Sequence, residues 1–247
     1  MWRVFADYHT HTKYSRGAGT ILDNARAAKQ QGLEVVGIAD HGPANWGHWA
    51  RTELQVFERI MAEARSVEKE ISGLRVLAGC EANIISFQGE LDLPHELQRK
   101  LDQVLAGFHT TIIPQKVQEG VRFFKGRTLG VFSPGLKRRA RNENTKAMVA
   151  AVYNNDIDII THPGLKISID TPELARACAK TGTALEINAK HGVKSVAFVK
   201  AAAHEGARFA IGSDAHRPDR VGRVENGVMA ARAAGLEPDQ IINVREE

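Results

Sequence analysis

Residues 3–11, RVFADYHTH, and 208–216, RFAIGSDAH, bracket the chain, and their reading decides the fold. Each is a β-rich run, Arg3–Tyr8 and Arg208–Gly212, that ends in metal-binding side chains two positions apart: His9 with His11, and Asp214 with His216. Strand side chains alternate faces with period two, so an extended backbone points both members of a pair the same way. Five similar runs lie between them, Glu34–Ala39, Arg75–Gly79, Gln103–Gly107, Ile157–Thr161 and Thr183–Ile187, each followed by a helical pattern. That alternation predicts an α/β fold with a parallel sheet and crossover helices.

Every run ends in a metal ligand type or a polar group able to support one: Asp7, His9 and His11; Asp40 and His41; Glu81; His109; His162; Asn188; Asp214 and His216. An open sheet gathers its ligand at one switch point, whereas a barrel brings all its strand ends to one mouth. Six of the ten histidines fall at these ends, where barrel enzymes place catalytic groups. Imidazole nitrogen mixed with carboxylate oxygen, without a cysteine pair, suits zinc, manganese or iron rather than a thiolate zinc site. Six histidines with two carboxylates exceed the needs of one tetrahedral ion, which favours at least two metals sharing a bridging carboxylate. Asp7 and Asp40 stand one or two residues from a ligand, where a carboxylate can hold an imidazole's second nitrogen.

The helical pattern between Arg51 and Ser72 carries Leu54, Phe57, Met61, Ala64, Val67 and Ile71 at three- and four-residue steps, and Gly73 stops it. Thr20 with Asp23 reads as a capping box for a helix ending near Gly32, and Thr171-Pro172 as a cap followed by a first-turn proline. The composition, 43% hydrophobic and 25% charged over 247 residues, is that of an ordinary globular protein and excludes collagen, disorder and coiled coil. No apolar run suits a membrane span, and MWRVFADYHTH lacks a signal-peptide layout, so a cytoplasmic protein is expected. Cys80 and Cys178 read as core thiols. Pro114–Glu143 holds eight Lys or Arg against two Glu, a basic insert on a near-neutral body that can attract phosphate or nucleic acid. Trp46, His48 and Trp49 read as a mouth loop that stacks on a substrate or packs on a neighbouring helix. With no linker in the rhythm, one domain over 1–247 is expected.

The motifs DYHTH (7–11), ADHG (39–42), GCEANI (79–84), AGFH (106–109), THPG (161–164), EIN (186–188) and GSDAH (212–216), in this order, resemble the PHP (polymerase and histidinol phosphatase) family. The likeness is strongest to its small bacterial stand-alone phosphoesterases, the YcdX-like branch. The resemblance implies a distorted, TIM-barrel-like (β/α)7 barrel with up to three divalent metals at the C-terminal strand ends, hydrolysing phosphate esters. It implies a first site of His9, His11, Glu81 and Asp214, with Glu81 bridging to a second formed with His109 and His162, and a third from His41 and His216. The branch usually supplies another histidine about six residues past the HxH pair, and Tyr14–Gly19 contains none.

The chemistry follows from charge. A phosphomonoester repels its nucleophile, and paired metals both screen that charge and yield hydroxide at neutral pH, here a hydroxide bridging the two ions. Arg16, near the missing histidine, is a candidate cation for phosphate oxygens, and Asn188 a substrate or supporting contact. The leading reading is a metal-dependent phosphoesterase acting on a small phosphorylated metabolite, histidinol phosphate among the candidates. The alternatives are a PHP-type nuclease on DNA ends and a non-catalytic metal-binding module. The absence of a polymerase or helix-hairpin-helix module favours a small substrate over nucleic acid. An amidohydrolase also opens with HxH, but requires a mid-barrel lysine where this chain offers Glu81 and His109.

Overall fold

Ala6–Thr10 (β2), the strand that carries the first histidine pair, starts a seven-stranded parallel sheet that runs in strict chain order. It follows the short Trp2–Val4 (β1) and leads to Val35–His41 (β3), Arg75–Asn83 (β4), Gln103–Gly107 (β5), Ile159–Ile160 (β6), Ala184–Asn188 (β7) and Phe209–Gly212 (β8). These elements belong to a computed structural model that describes residues 1–45, 53–109, 134–165 and 167–247. The predicted mouth loop Trp46–Trp49 and residues 114–133 of the basic insert lie outside the described residues.

The sheet curls until its first and last strands meet. Thr10 and Ala215 form a parallel bridge, where the His11 N–H donates to Ala215 O at 2.8 Å and the Ala215 N–H to His9 O at 3.2 Å. Side chains stitch the rest of the seam. Asn243 Nδ2 donates to Ala6 O and Ile211 O at 2.7 and 2.8 Å, and its Oδ1 accepts from the Ile211 N–H at 3.0 Å. The result is a nearly closed (β/α)7 barrel. Its interior is filled by Ala39, Leu105, Ile159, Ala184 and Ala210, mostly small side chains suited to a narrow lumen.

The helices lie outside: Ile21–Gln30 (α1), Val56–Glu70 (α2), His95–Gln98 (α3), Pro134–Asn154 (α4), Thr171–Thr181 (α5), Val196–His204 (α6) and Glu225–Ala233 (α7). The capping box predicted for α1 is present, with Thr20 and Asp23 bonded reciprocally. In α2, Phe57, Ile60, Ala64 and Val67 are buried, while Leu54 precedes the helix and is exposed. The cap of α5 is Asp170, whose carboxylate accepts from the Glu173 N–H at 3.2 Å; Thr171 is already helical, which corrects the expected boundary by one residue. Residues 134–143, expected as part of a non-periodic insert, begin α4. Its Lys137, Arg138 and Arg139 are exposed, whereas Arg141 approaches Asp170 at 3.5 Å. Val244–Glu246 (β9) pairs antiparallel with β1, a two-stranded sheet the periodicity did not predict.

No helix among the described residues is long and apolar enough to cross a membrane.

Candidate metal centre

Glu81 lies two residues before the end of β4, fully buried, and predicted ligands converge on its two oxygens. On one side stand the β2 histidines, their Nε2 atoms 3.1 Å apart. Glu81 Oε2 lies 3.4 Å from His9 Nε2 and 3.6 Å from His11 Nε2, and Asp214 Oδ1 lies 3.9 and 3.4 Å from the same atoms. Four ligand atoms at about 2.0–2.1 Å from a tetrahedral ion are separated by about 3.3 Å, so this set has the spacing of a coordination shell. On the other side, His109 Nε2 and His162 Nε2 lie 3.1 and 3.0 Å from Glu81 Oε1. His41 Nδ1 is 2.9 Å from Oε2, yet neither atom has a hydrogen-bond partner of acceptable geometry, and His11 Nδ1 is likewise orphaned. Buried polar atoms are seldom left unpaired, and His41 Nδ1 and Glu81 Oε2 face each other at the distance of two ligands of one ion. The residues therefore fit divalent metal. Among the described residues, three groups of ligand atoms are close enough to hold an ion: His9–His11–Asp214, His41–Glu81–His109 and His11–His41–His216.

A surrounding layer orients the imidazoles. Glu186 Oε1 is 2.6 Å from His9 Nδ1, so that nitrogen donates and Nε2 is the one turned to the cluster. Its Oε2 accepts from the His162 N–H at 2.7 Å and from Asn188 Nδ2 at 3.2 Å, and the same amide donates to Asp214 Oδ2 at 3.2 Å. One buried carboxylate thus ties ligands from β2, β6 and β8 together. Asn83 does the same for His109: its Nδ2 donates to Asp92 at 2.6 Å, which makes Oδ1 the acceptor for His109 Nδ1 at 2.7 Å.

Glu186, Asn83 and Lys190 are missing from the sequence reading. The signal existed, because Glu81 with Asn83, and Glu186 with Asn188 and Lys190, repeat the two-residue step of His9 with His11. Asp7 and Asp40 are corrected, since neither bonds an imidazole nitrogen. Asp7 accepts from the N–H groups of Ser213 (3.1 Å) and Gly222 (2.9 Å) and braces the barrel seam. Asp40 accepts from Thr12 N–H (2.8 Å), Thr12 Oγ1 (2.6 Å) and Ser15 Oγ, and so holds the loop after the HxH pair. Asn188 is a buried support for Asp214. Arg16 is half-buried at the mouth, its guanidinium donating to Asn45 Oδ1 at 2.8 Å.

Electrostatics matches a cation site. Burial alone would raise the Glu81 carboxyl, but His109, His9 and His41 hold it well below the usual range. Burial would lower His9, yet Glu186, Glu81 and Asp214 raise it well above an ordinary histidine. His162 is raised by Glu81 against the same burial penalty. Burial and the neighbouring His41 push His11 well below, and burial brings His41 down to about 4. Two of the predicted ligand residues are also strained: His162 has φ 30° and Asp214 φ 51°, left-handed values uncommon for non-glycine residues and concentrated at functional sites. Gly212 supplies the space behind His9, since a Cβ there would collide with Glu186 Oε1.

The centre floors a cleft of about 360 Å³ lined by Arg16, His41, Glu81, His109, His162, Lys190, Asp214 and His216. A second hollow of about 350 Å³ shares the His162–Leu165 wall and continues to Ile169, Ala197 and Phe198.

Comparison with known proteins agrees with this arrangement. The chain is 32% identical to a probable phosphatase of Thermoanaerobacter sp. (strain X514), over 98% of this chain and 91% of that one. It is also 32% identical to the probable phosphatase YcdX of Escherichia coli, over 96% of this chain and 89% of the relative. Its fold resembles the crystal structure of histidinol phosphate phosphatase from Lactococcus lactis complexed with zinc, L-histidinol and phosphate. The TM-score is 0.63 at 17% identity, over 95% of both chains. The model of the PHP domain matches residues 7–216, from the seam aspartate to the last clustered histidine, and the chain belongs to the PHP family.

Proposed function

We propose that this chain, as one domain over 1–247, is a metal-dependent phosphoesterase that hydrolyses the monoester of a small phosphorylated metabolite. The observation that carries the reading is the convergence around Glu81 of side chains from β2, β3 and the segments after β5, β6 and β8, at ligand-to-ligand spacing and beside an open cleft. His9, His11, Glu81 and Asp214 would hold one ion, and Glu81 with His109 and His162 a second, of zinc, manganese or iron. When bound, paired ions supply Lewis acidity and a nucleophile drawn from water at neutral pH. The chain's own residues do the rest. Glu186 and Asn83 keep the lone pairs of His9 and His109 turned inward. Arg16 reaches over the mouth toward phosphate oxygens. The more apolar hollow beyond His162 receives the alcohol part of the ester. Histidinol phosphate is a candidate substrate, in view of the zinc- and histidinol-bound neighbour.

The test is a screen of phosphorylated metabolites on metal-reconstituted protein, with released phosphate as readout. Turnover of one or a few small monoesters is expected. Release of nucleotides from DNA ends without turnover of any monoester would install the nuclease instead, and inertness toward both would install a non-catalytic metal-binding module.

A further inference from the structure

Of the three groups able to hold an ion, two contain a carboxylate and the third, His11–His41–His216, contains none. The anions beside that third group are both engaged: Glu81, 2.9 Å from His41 Nδ1, also faces the histidines of the other two groups, and Asp214, 3.3 Å from His216 Nδ1, is held by a cation. Lys190 Nζ lies 3.1 Å from Asp214 Oδ1 and 3.2 Å from His216 Nδ1. The lysine is not a stray surface side chain. Its backbone N–H donates to Asn188 Oδ1 at 3.1 Å, so the amide that supports Asp214 also fixes the turn from which Lys190 projects. Its side chain is 44% exposed and lines the same cleft as Arg16, which leaves ammonium protons facing the space over the metal centre. A divalent ion among these three imidazoles would find no carboxylate that is not already shared with another group, and would sit beside an ammonium. Like charges at such separations repel, even with solvent near.

We propose that Lys190 is a resident cation that binds a phosphate oxygen beside a two-ion centre and takes the place of a third metal. An ammonium offers three donors; two face Asp214 Oδ1 and His216 Nδ1, and the third is left to meet a non-bridging oxygen of the substrate or of product phosphate. The charge that a third ion would bring to the dianion is then built into the polypeptide. The proposal rests on the phosphoesterase reading.

The experiment uses zinc-reconstituted wild type, Lys190→Ala and Lys190→Arg, with circular dichroism to verify folding. Zinc per chain is read by elemental analysis, and inorganic phosphate binding by calorimetry, which needs no turnover. Wild type is expected to hold about two zinc ions. Lys190→Ala should weaken phosphate binding about tenfold or more and take up additional zinc, while Lys190→Arg keeps phosphate affinity within about threefold. Three ions in the wild type, unchanged phosphate affinity in Lys190→Ala, or weakened phosphate binding with zinc still at two would each overturn the proposal. A wild type that binds phosphate through Lys190 but hydrolyses no monoester would defeat the phosphoesterase reading alone.

Discussion

Glu81 and Glu186 are both buried carboxylates among histidines, yet they do different work. Glu81 faces five imidazoles within 3.6 Å and is the candidate bridge. Replacing it with alanine should abolish the binding of two ions and remove more activity than His41→Ala, since Glu81 offers an oxygen to each of the two proposed ions whereas His41 belongs to neither proposed ligand set. Equal losses in two folded variants would contradict the assignment. Glu186 touches His9 through Nδ1, the nitrogen turned away from the cluster. Glu186→Gln keeps the shape but withdraws the charge, and metal affinity should fall about 10–100-fold with the barrel intact, checked by chelator competition. The pH dependence follows from the same residues. His11 and His41 lie below the ordinary histidine range, His41 at about 4, so both are neutral near pH 7. His9 and His162 are raised, so in the metal-free protein each keeps its proton to higher pH, and an incoming ion must displace it. Zinc affinity should therefore climb as pH rises from about 6 to 8, with proton release visible as buffer-dependent heat. Affinity that is flat across that range would contradict the shifts. At this scale the sequence made the ligand types legible through their two-residue spacing. The supporting residues Glu186 and Asn83 were hidden because a carboxylate or amide inside a strand shows no partner until the strands are assembled.

Elements with strong local signals were legible and those without were not. The α1 capping box needs only Thr20 and Asp23, and it forms as read. Thr20→Ala should cost about 1 kcal/mol and lower Tm by about 2–4 °C, measured by thermal denaturation. The first turns of α4 show no apolar stripe, since residues 134–139 are all exposed, so their helicity left no periodic trace. The strands β1 and β9 are three residues each and pair across nearly the whole chain, beyond any local pattern. Burial of the thiols is an element-scale property as well. Cys178 sits inside α5, where burial pushes its thiol up to about 12, and Cys80 in β4 is raised well above an ordinary thiol by burial. Neither should react with thiol reagents at pH 8 until the protein unfolds. Rapid labelling of the native protein would show that these elements are not packed as described.

Closure turns seven separate strand ends into one centre. The Glu81 shell draws ligands from β2, β3, β4 and the segments after β5, β6 and β8, which meet only because β8 returns to β2. That return was foreshadowed by the matching first and last motifs. Its fastening by Asp7 and Asn243 was not, because each reaches across the seam to a backbone group more than 200 residues away in sequence, Ser213 N–H and Ala6 O. Asn243→Ala should leave the buried Ile211 N–H and the Ala6 carbonyl without their partner, costing about 1–3 kcal/mol and weakening metal retention from a distance. Unchanged Tm and metal content would mean the seam is held elsewhere. The central claim is that the barrel mouth is a multinuclear metal centre, and elemental analysis of gently purified and reconstituted protein tests it most directly. At least two transition-metal ions per chain are predicted, falling together in Glu81→Ala; one ion or fewer, unchanged after reconstitution with zinc, manganese or iron, would contradict it.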